Sequence, residues 1–207
     1  TYMSEYTHSE VEWVYGMCYL SAFGPSDDLL SKYDVEDCRP GFWFDLSEYA
    51  QMSLRKKDYN WMTGGMTPVN TIRISEAFLN RAEAYAQLKN TTGALADLNE
   101  LRRNRIKGYA DIHISDPALL LEEVRLERRL ELCFDEQRWF DLRRYGMPSI
   151  THRYRYKKAD PWMVYTLKEK DPMYTLPISN VALENNTSLE QNASADGSDR
   201  SGVEVMN

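Results

Sequence analysis

Apolar residues recur at intervals of three and four along the middle of this chain of 207 residues, and this period predicts helices. The positions that mark the first two helices are Ile74, Phe78, Tyr85 and Leu88, followed by Leu95, Leu98, Leu101 and Ile106. Residues 90–93 read Asn-Thr-Thr-Gly and predict a turn between them. Alanines on the first helix allow a neighbouring helix to approach closely: Ala77, Ala82, Ala84 and Ala86. The pair has the small-residue and aromatic spacing of a tetratricopeptide helical hairpin.

A third helix is predicted over residues 116–134, with an apolar stripe at Leu119, Leu126, Leu130 and Phe134. Ser115 can cap this helix, and Pro117 suits its first turn, where the missing N–H is not needed. Two helices cannot bury their apolar faces alone, so we expect the third to stack on the pair. A shorter helix is predicted over residues 138–143.

The N-terminal third of the chain has weaker patterns. Residues 11–20 are apolar and aromatic with β-favouring side chains, which predicts a strand. Pro25 and Ser26 begin a short predicted helix. Residues 39–71 mix aromatics with turn signals such as Pro40-Gly41, so we interpret them as extended chain and loops that can include a hairpin.

The C-terminal part completes the predicted organisation. Beyond Gly146 the chain is expected to be irregular, and the polar residues 193–207 are expected to be a mobile tail unless they dock. Residues 1–192 then form one region. The predicted fold class is mainly α, with tetratricopeptide-like helical hairpins, irregular loops and a small β element.

A stripe of like charges runs along the third helix. Glu123, Glu127 and Glu131 stand one above another at i, i+4 spacing, which costs a few tenths of a kcal/mol per pair on an isolated helix. A solvated face is one explanation. We favour a network of buried ion pairs, because the run continues into residues 138–142, where large apolar groups alternate with charges. The arginines available to it are Arg81, Arg102, Arg105, Arg138 and Arg143. The residues assigned to this structural ion-pair network are Arg81, Glu127, Glu131 and Arg138.

Composition limits the functional classes. The net charge of -7 and the low pI argue against nucleic-acid binding, which needs a basic face. No run of about 18 apolar residues is present to span a bilayer. The three histidines are isolated and the three cysteines lack metal-type spacing, so no metal or cofactor is expected. No catalytic motif is present, and among 32 acidic residues some glycosidase-like pair always looks eligible. We therefore expect a protein that is not an enzyme.

Aromatic residues offer a binding chemistry. The chain has 5 Trp and 14 Tyr, and sugar rings present apolar C–H faces that lie on such side chains. Most aromatics fill cores, and we expect Trp139 to do so between Phe140 and Leu142. The ligand-binding candidates are those in loop-like sequence, namely Trp43, Tyr59 and Trp61.

Several motifs carry a family resemblance. They are Glu127-Arg-Arg with Glu131 and Phe134, Arg-Trp-Phe-Asp-Leu-Arg-Arg at 138–144, Arg-Ala-Glu-Ala at 81–84, the helix at 94–105, Leu-Pro-Ile ending at Ile178, and Gln191-Asn192. Taken in their order along the chain, these motifs resemble the SusD/RagB family of nutrient-binding lipoproteins on the outer membrane of Bacteroidetes-type bacteria. The resemblance spans roughly residues 10–192.

The resemblance implies a function without bond chemistry. A nutrient, most often a glycan and in some members a peptide, would be captured at the cell surface and passed to a SusC-like TonB-dependent transporter. The chain would be the C-terminal portion of a longer protein, attached to the membrane only through an N-terminal lipid anchor that these residues lack, and much of the ligand pocket would precede it. The alternative is a tetratricopeptide-type protein–protein interaction scaffold, which has no reason to carry the segment ending at Ile178.

Overall fold

The structure, a computed structural model, describes residues 25–45, 53–54, 74–135, 137–154, 160–196 and 202–205. Its contacts divide the chain into two compact units, Thr1–Glu136 and Gln137–Asn207. The strand predicted at residues 11–20 lies outside the described residues.

The first unit is mainly helical, as predicted. Its elements are α1 (Asp27–Leu30), α2 (Arg39–Trp43), β1 (Phe44–Asp45), β2 (Ser53–Leu54), α3 (Ile74–Gln87), α4 (Thr91–Arg103) and α5 (Pro117–Glu131). β1 and β2 pair antiparallel, with Phe44 opposite Leu54. The extended chain predicted from residue 39 is wrong for α2, because Pro40 occupies the first turn of a helix, where proline is tolerated.

The helix starts in this unit are set by side-chain caps. Asp116, and not Ser115 as predicted, caps α5, since its carboxylate accepts hydrogen bonds from the N–H groups of Ala118 and Leu119. Pro117 stands in the first turn as predicted. Asn90 caps α4 by accepting from the Gly93 N–H at 3.0 Å, so residues 91–93 already belong to the helix.

A small-residue core joins α3, α4 and α5. Its buried members are Ala82, Ala86, Ala94, Leu98, Leu120 and Val124. Some of the predicted apolar positions do not belong to this core, because Ile74, Leu88 and Leu119 are exposed. Alanines let the backbones approach closely, and the buried stripe of α5 continues through glutamates that a search for apolar residues passes over.

The second unit combines one short helix with a sheet. Its elements are α6 (Arg138–Arg144), β3 (Ile150–Tyr154), β4 (Trp162–Leu167), α7 (Asn180–Asn185) and β5 (Val203–Val205). The strands are antiparallel in the order β3-β4-β5. The irregular chain predicted after Gly146 is therefore wrong, since β-branched and aromatic residues there form strands. β5 lies within the predicted tail and pairs with β4.

Trp139 is a stacking residue and not fully core. Its ring lies 5.0 Å from that of buried Tyr174 at an interplanar angle of 21°, while its own side chain is half-buried. Leu142, one helical turn on, is buried, whereas Phe140 is 63% exposed on another face. The expectation that Phe140 packs beside Trp139 is wrong because the helical period separates them.

Two C-terminal segments are tied together by amide side chains. The Ile178 N–H donates to Gln191 Oε1 at 2.8 Å, and Gln191 Nε2 donates back to the Ile178 carbonyl at 2.9 Å. Asn192 Nδ2 donates to the Leu176 carbonyl at 2.7 Å. The side chains take the place of a partner strand, and this explains why the two motifs occur together.

Replacement of Gly146 by alanine should destabilise the turn that ends α6. Gly146 has a φ of +94°, where a Cβ is strained, and the following N–H, of Met147, donates to the Leu142 carbonyl at 2.9 Å. We expect a loss of about 1 kcal/mol in urea unfolding, since the left-handed conformation is unfavourable by about that much for a residue with a Cβ. Gly41→Ala is the control, because Gly41 lies in α2 with open space around it and should lose nothing. Equal losses in the two variants would contradict this account.

Candidate functional site

One buried guanidinium organises the polar interior of the first unit. Arg39 is 1% exposed, and its Nε and Nη2 donate to the two carboxylate oxygens of Asp37 at 3.0 and 2.6 Å. Its Nη1 donates to Glu127 Oε1 at 2.6 Å and to Glu131 Oε2 at 3.1 Å. A single cation from α2 thereby binds three buried carboxylates.

Arg102, in the last turn of α4, and Arg105, two residues after α4, complete the neutralisation of the carboxylates. Arg102 donates to Glu127 Oε2 and to Glu123 Oε1, both at 2.7 Å. Arg105 donates to both oxygens of Glu131, at 3.0 and 2.9 Å. Glu127 and Glu131 are buried and bonded to arginines, as the charge stripe predicted.

The membership of this network differs from the prediction. Arg81 instead makes a two-pronged bond from α3 to Asp97 of α4, at 2.8 and 2.7 Å. Arg138 opens α6 in the second unit, and its place in the network stays a prediction. Arg39 was missed because its segment was taken for loop. The available hint was that α2 contains no acidic residue to pair with Arg39, although the sequence does not show which distant carboxylates do so.

The two most buried arginines of the network stay charged at any ordinary pH. Burial by itself would lower the pKa of Arg39, but hydrogen bonds to Asp37 and the charge of Glu127 outweigh it and raise that pKa. Burial would also lower the pKa of Arg102, but the charge of Glu127 outweighs it and raises that pKa. Neither guanidinium can lose its proton and leave the carboxylates unpaired.

Tyr33 links the segment after α1 to α5. Its hydroxyl donates to the Leu130 carbonyl at 2.8 Å and lies 3.4 Å from the Cys133 sulfur. Its ring also faces the Arg39 guanidinium at 5.4 Å. Burial, and then the neighbouring Cys133 thiol, raise the pKa of Tyr33 above its ordinary value.

The predicted ligand residues fall in different places. Trp43 ends helix α2 and is half-buried against an apolar cluster that includes Leu29 and Phe44, so the prediction that it lies in a loop is wrong. Its ring also packs against Arg39, 6.0 Å from the guanidinium carbon. Tyr59 and Trp61 lie outside the described residues, and their ligand role stays a prediction.

A groove beside α6 is a second candidate that the sequence reasoning missed. It has a volume of about 400 Å³ and is lined by Phe140, Arg143, Arg144 and Met147. It was missed because Phe140 was assigned to the core. In the described ranges, no group of three His, Cys, Asp or Glu side chains is placed to hold a metal, and no helix is long and apolar enough to cross a bilayer.

In the first unit an antiparallel pair of helices packs on a third helix. This arrangement is typical of helical-repeat proteins. A model of the SusD family matches residues 32–194. The chain belongs to the SusD family. No match was found among curated protein sequences.

Solved structures of similar fold come from Bacteroides and Parabacteroides. A SusD-like carbohydrate binding protein from Bacteroides vulgatus shares 21% identity over 81% of this chain, with a TM-score of 0.59. A SusD superfamily protein from Parabacteroides distasonis shares 17% over 82%, with a TM-score of 0.56. A putative sugar binding protein from Bacteroides vulgatus shares 25% over 80%, also at 0.56. The chain covers 41%, 41% and 37% of these three structures.

The buried network should dominate the stability of the first unit. Glu127→Ala leaves Arg39 and Arg102 short of a buried partner, and such a loss costs about 3–5 kcal/mol. Glu100→Ala is the matched control, because Glu100 forms an exposed pair with Arg103 and should lose under about 1 kcal/mol. Urea unfolding of the full-length variants measures both. A loss below about 1 kcal/mol for Glu127→Ala would contradict the assignment.

Alkaline pH should expose the role of Tyr33. The folded state keeps the Tyr33 proton above pH 10, where the unfolded chain releases it, so stability falls as pH rises beyond about 10. The contribution of this one group approaches about 1.4 kcal/mol per pH unit. Tyr33→Phe should flatten the dependence of unfolding free energy on pH between 10 and 11 while lowering stability at pH 7. Superimposable slopes for the two proteins would refute the assignment.

Proposed function

We propose that this protein binds a carbohydrate nutrient at the outer-membrane surface and passes it, chemically unchanged, to a SusC-like TonB-dependent transporter. The observation that carries the proposal is the family match over residues 32–194. The 25% identity to a putative sugar binding protein over 80% of the chain supports it. A peptide nutrient is the alternative ligand within the same role.

The chemistry of the described residues favours binding over catalysis. A glycosidase needs two carboxyl groups facing a cleft, one of them free to give up a proton. The closely spaced carboxylates of the first unit, Asp37, Glu127 and Glu131, are buried and bonded to arginines. Their work is therefore to hold helices together.

The ligand contacts are assigned to aromatic side chains between β2 and α3. Tyr59 and Trp61 fall in that interval, and both of its ends belong to the first unit, which the buried network holds. Binding residues are commonly displayed on connections supported by a rigid scaffold. Trp43 contributes mainly by packing against the apolar cluster that includes Leu29 and Phe44.

Family membership supports the proposed hand-over to a transporter and the proposed surface location. Because the chain spans about two fifths of the related structures, both are proposed for the protein as a whole. Membrane attachment is assigned to an N-terminal lipid anchor.

Aromatic substitution tests the proposed ligand contacts. Full-length protein is titrated with neutral oligosaccharides and peptides by calorimetry, then compared with Tyr59→Ala and Trp61→Ala. Loss of a stacking contact should weaken sugar binding about tenfold, since such contacts contribute about 0.5–1.5 kcal/mol beyond area burial. Tyr154→Ala removes an exposed aromatic residue in the second unit and should bind normally. Sugar cleavage, or no sugar binding by the wild type, would overturn the proposal.

A further inference from the structure

The turn that ends α6 builds the groove beside it. Gly146 and Met147 both adopt left-handed backbone conformations, with φ of +94° and +56°. The Met147 N–H donates to the Leu142 carbonyl at 2.9 Å, and the Met147 carbonyl accepts from the Lys170 N–H at 2.8 Å. A non-glycine residue keeps such a conformation only where its surroundings fix it, and such residues are frequent at ligand sites. Met147 is thereby folded back beside α6 to form one wall of the groove.

An exposed aromatic residue forms another wall. Phe140 is 63% exposed and lies on the groove. The groove is shallow and open to solvent, and its volume is about 400 Å³. Its size and its single aromatic face suit a ring-sized ligand group.

The polar side of the groove is cationic. Arg143 is exposed, and within the part of the chain that the structure describes its guanidinium has no ion-pair partner. Arg144 is held in place, because its Nε donates to Asp141 at 3.0 Å and its Nη2 to the Tyr145 hydroxyl at 2.7 Å. The Arg144 guanidinium is thus fixed and partly neutralised, whereas the Arg143 guanidinium is open to a ligand. This local charge opposes the net charge of -7 of the chain.

We propose that this groove binds an acidic sugar residue that carries a carboxylate. The anionic group binds the Arg143 guanidinium, whose planar N–H donors match the two oxygens of such a group. The apolar C–H face of the pyranose ring lies on Phe140, and Met147 packs against its edge. The inference rests on the proposed function and narrows its substrate class to acidic glycans.

Arg143→Gln tests the inference in the full-length protein by calorimetry. The probes are trigalacturonic acid and its neutral methyl ester. The variant should bind the acid at least tenfold more weakly and the ester within twofold of the wild type, and added NaCl should weaken only the binding of the acid. Phe140→Ala should weaken both. Arg103→Gln, which removes an exposed arginine from the first unit, is the matched control and should change neither.

The outcomes separate this inference from the function on which it rests. Unchanged acid affinity in Arg143→Gln, or no acid binding by a wild type that binds neutral sugars, overturns the inference and leaves the proposed function standing. Wild-type protein that binds none of these sugars nor any other glycan overturns both. If hexaglutamate binds in an Arg143-dependent manner and the acid does not, the groove docks acidic peptides and the inference is wrong. Circular dichroism of each variant confirms that it is folded.

Discussion

The guanidinium of Arg39 is the group on which the first unit depends. Burying an ion costs several kcal/mol, and this cost is offset only when every polar atom finds a partner. Arg39 meets that condition with Asp37, Glu127 and Glu131. Backbone bonds bring the partners together, since the Cys38 N–H donates to the Arg105 carbonyl at 2.9 Å. The segment before α2 is thereby joined to the end of α4, directly over the glutamates of α5.

The network gives the helix packing its specificity. The contact between α3, α4 and α5 is lined by alanines and a few larger aliphatic residues, and such a surface permits more than one arrangement. Charges that must meet particular partners exclude the arrangements that leave one unpaired. Each of Arg39, Arg102 and Arg105 binds a glutamate of α5, so a shift of that helix by one turn would break several bonds at once. We infer that the like charges on α5 select one packing, a role that buried polar groups have in some other proteins.

The sequence was informative where local chemistry alone decides. The helical spacing of residues predicted α3 to α6. The unfavourable stacking of Glu127 over Glu131 predicted that both are buried against arginines. It was less informative where a partner distant in sequence decides. Arg39 lies 88 residues from Glu127, and nothing local marks that contact. The strands after Gly146 were missed because an exposed sheet lacks clean apolar alternation, with nearly all of β3 exposed. The groove beside α6 depends on two left-handed residues whose conformation the sequence did not reveal.

The buried network joins the helices of the first unit to one another. The central claim is that the Arg39–Glu127 bond holds that unit, and a double-mutant cycle with Arg39→Met and Glu127→Met tests it most directly. Urea unfolding of the two single variants and the double variant gives the coupling free energy. The account predicts a coupling free energy of about 2–3 kcal/mol. The double variant should therefore lose less stability than the sum of the losses in the two single variants. Additive losses, within about 0.5 kcal/mol, would contradict it.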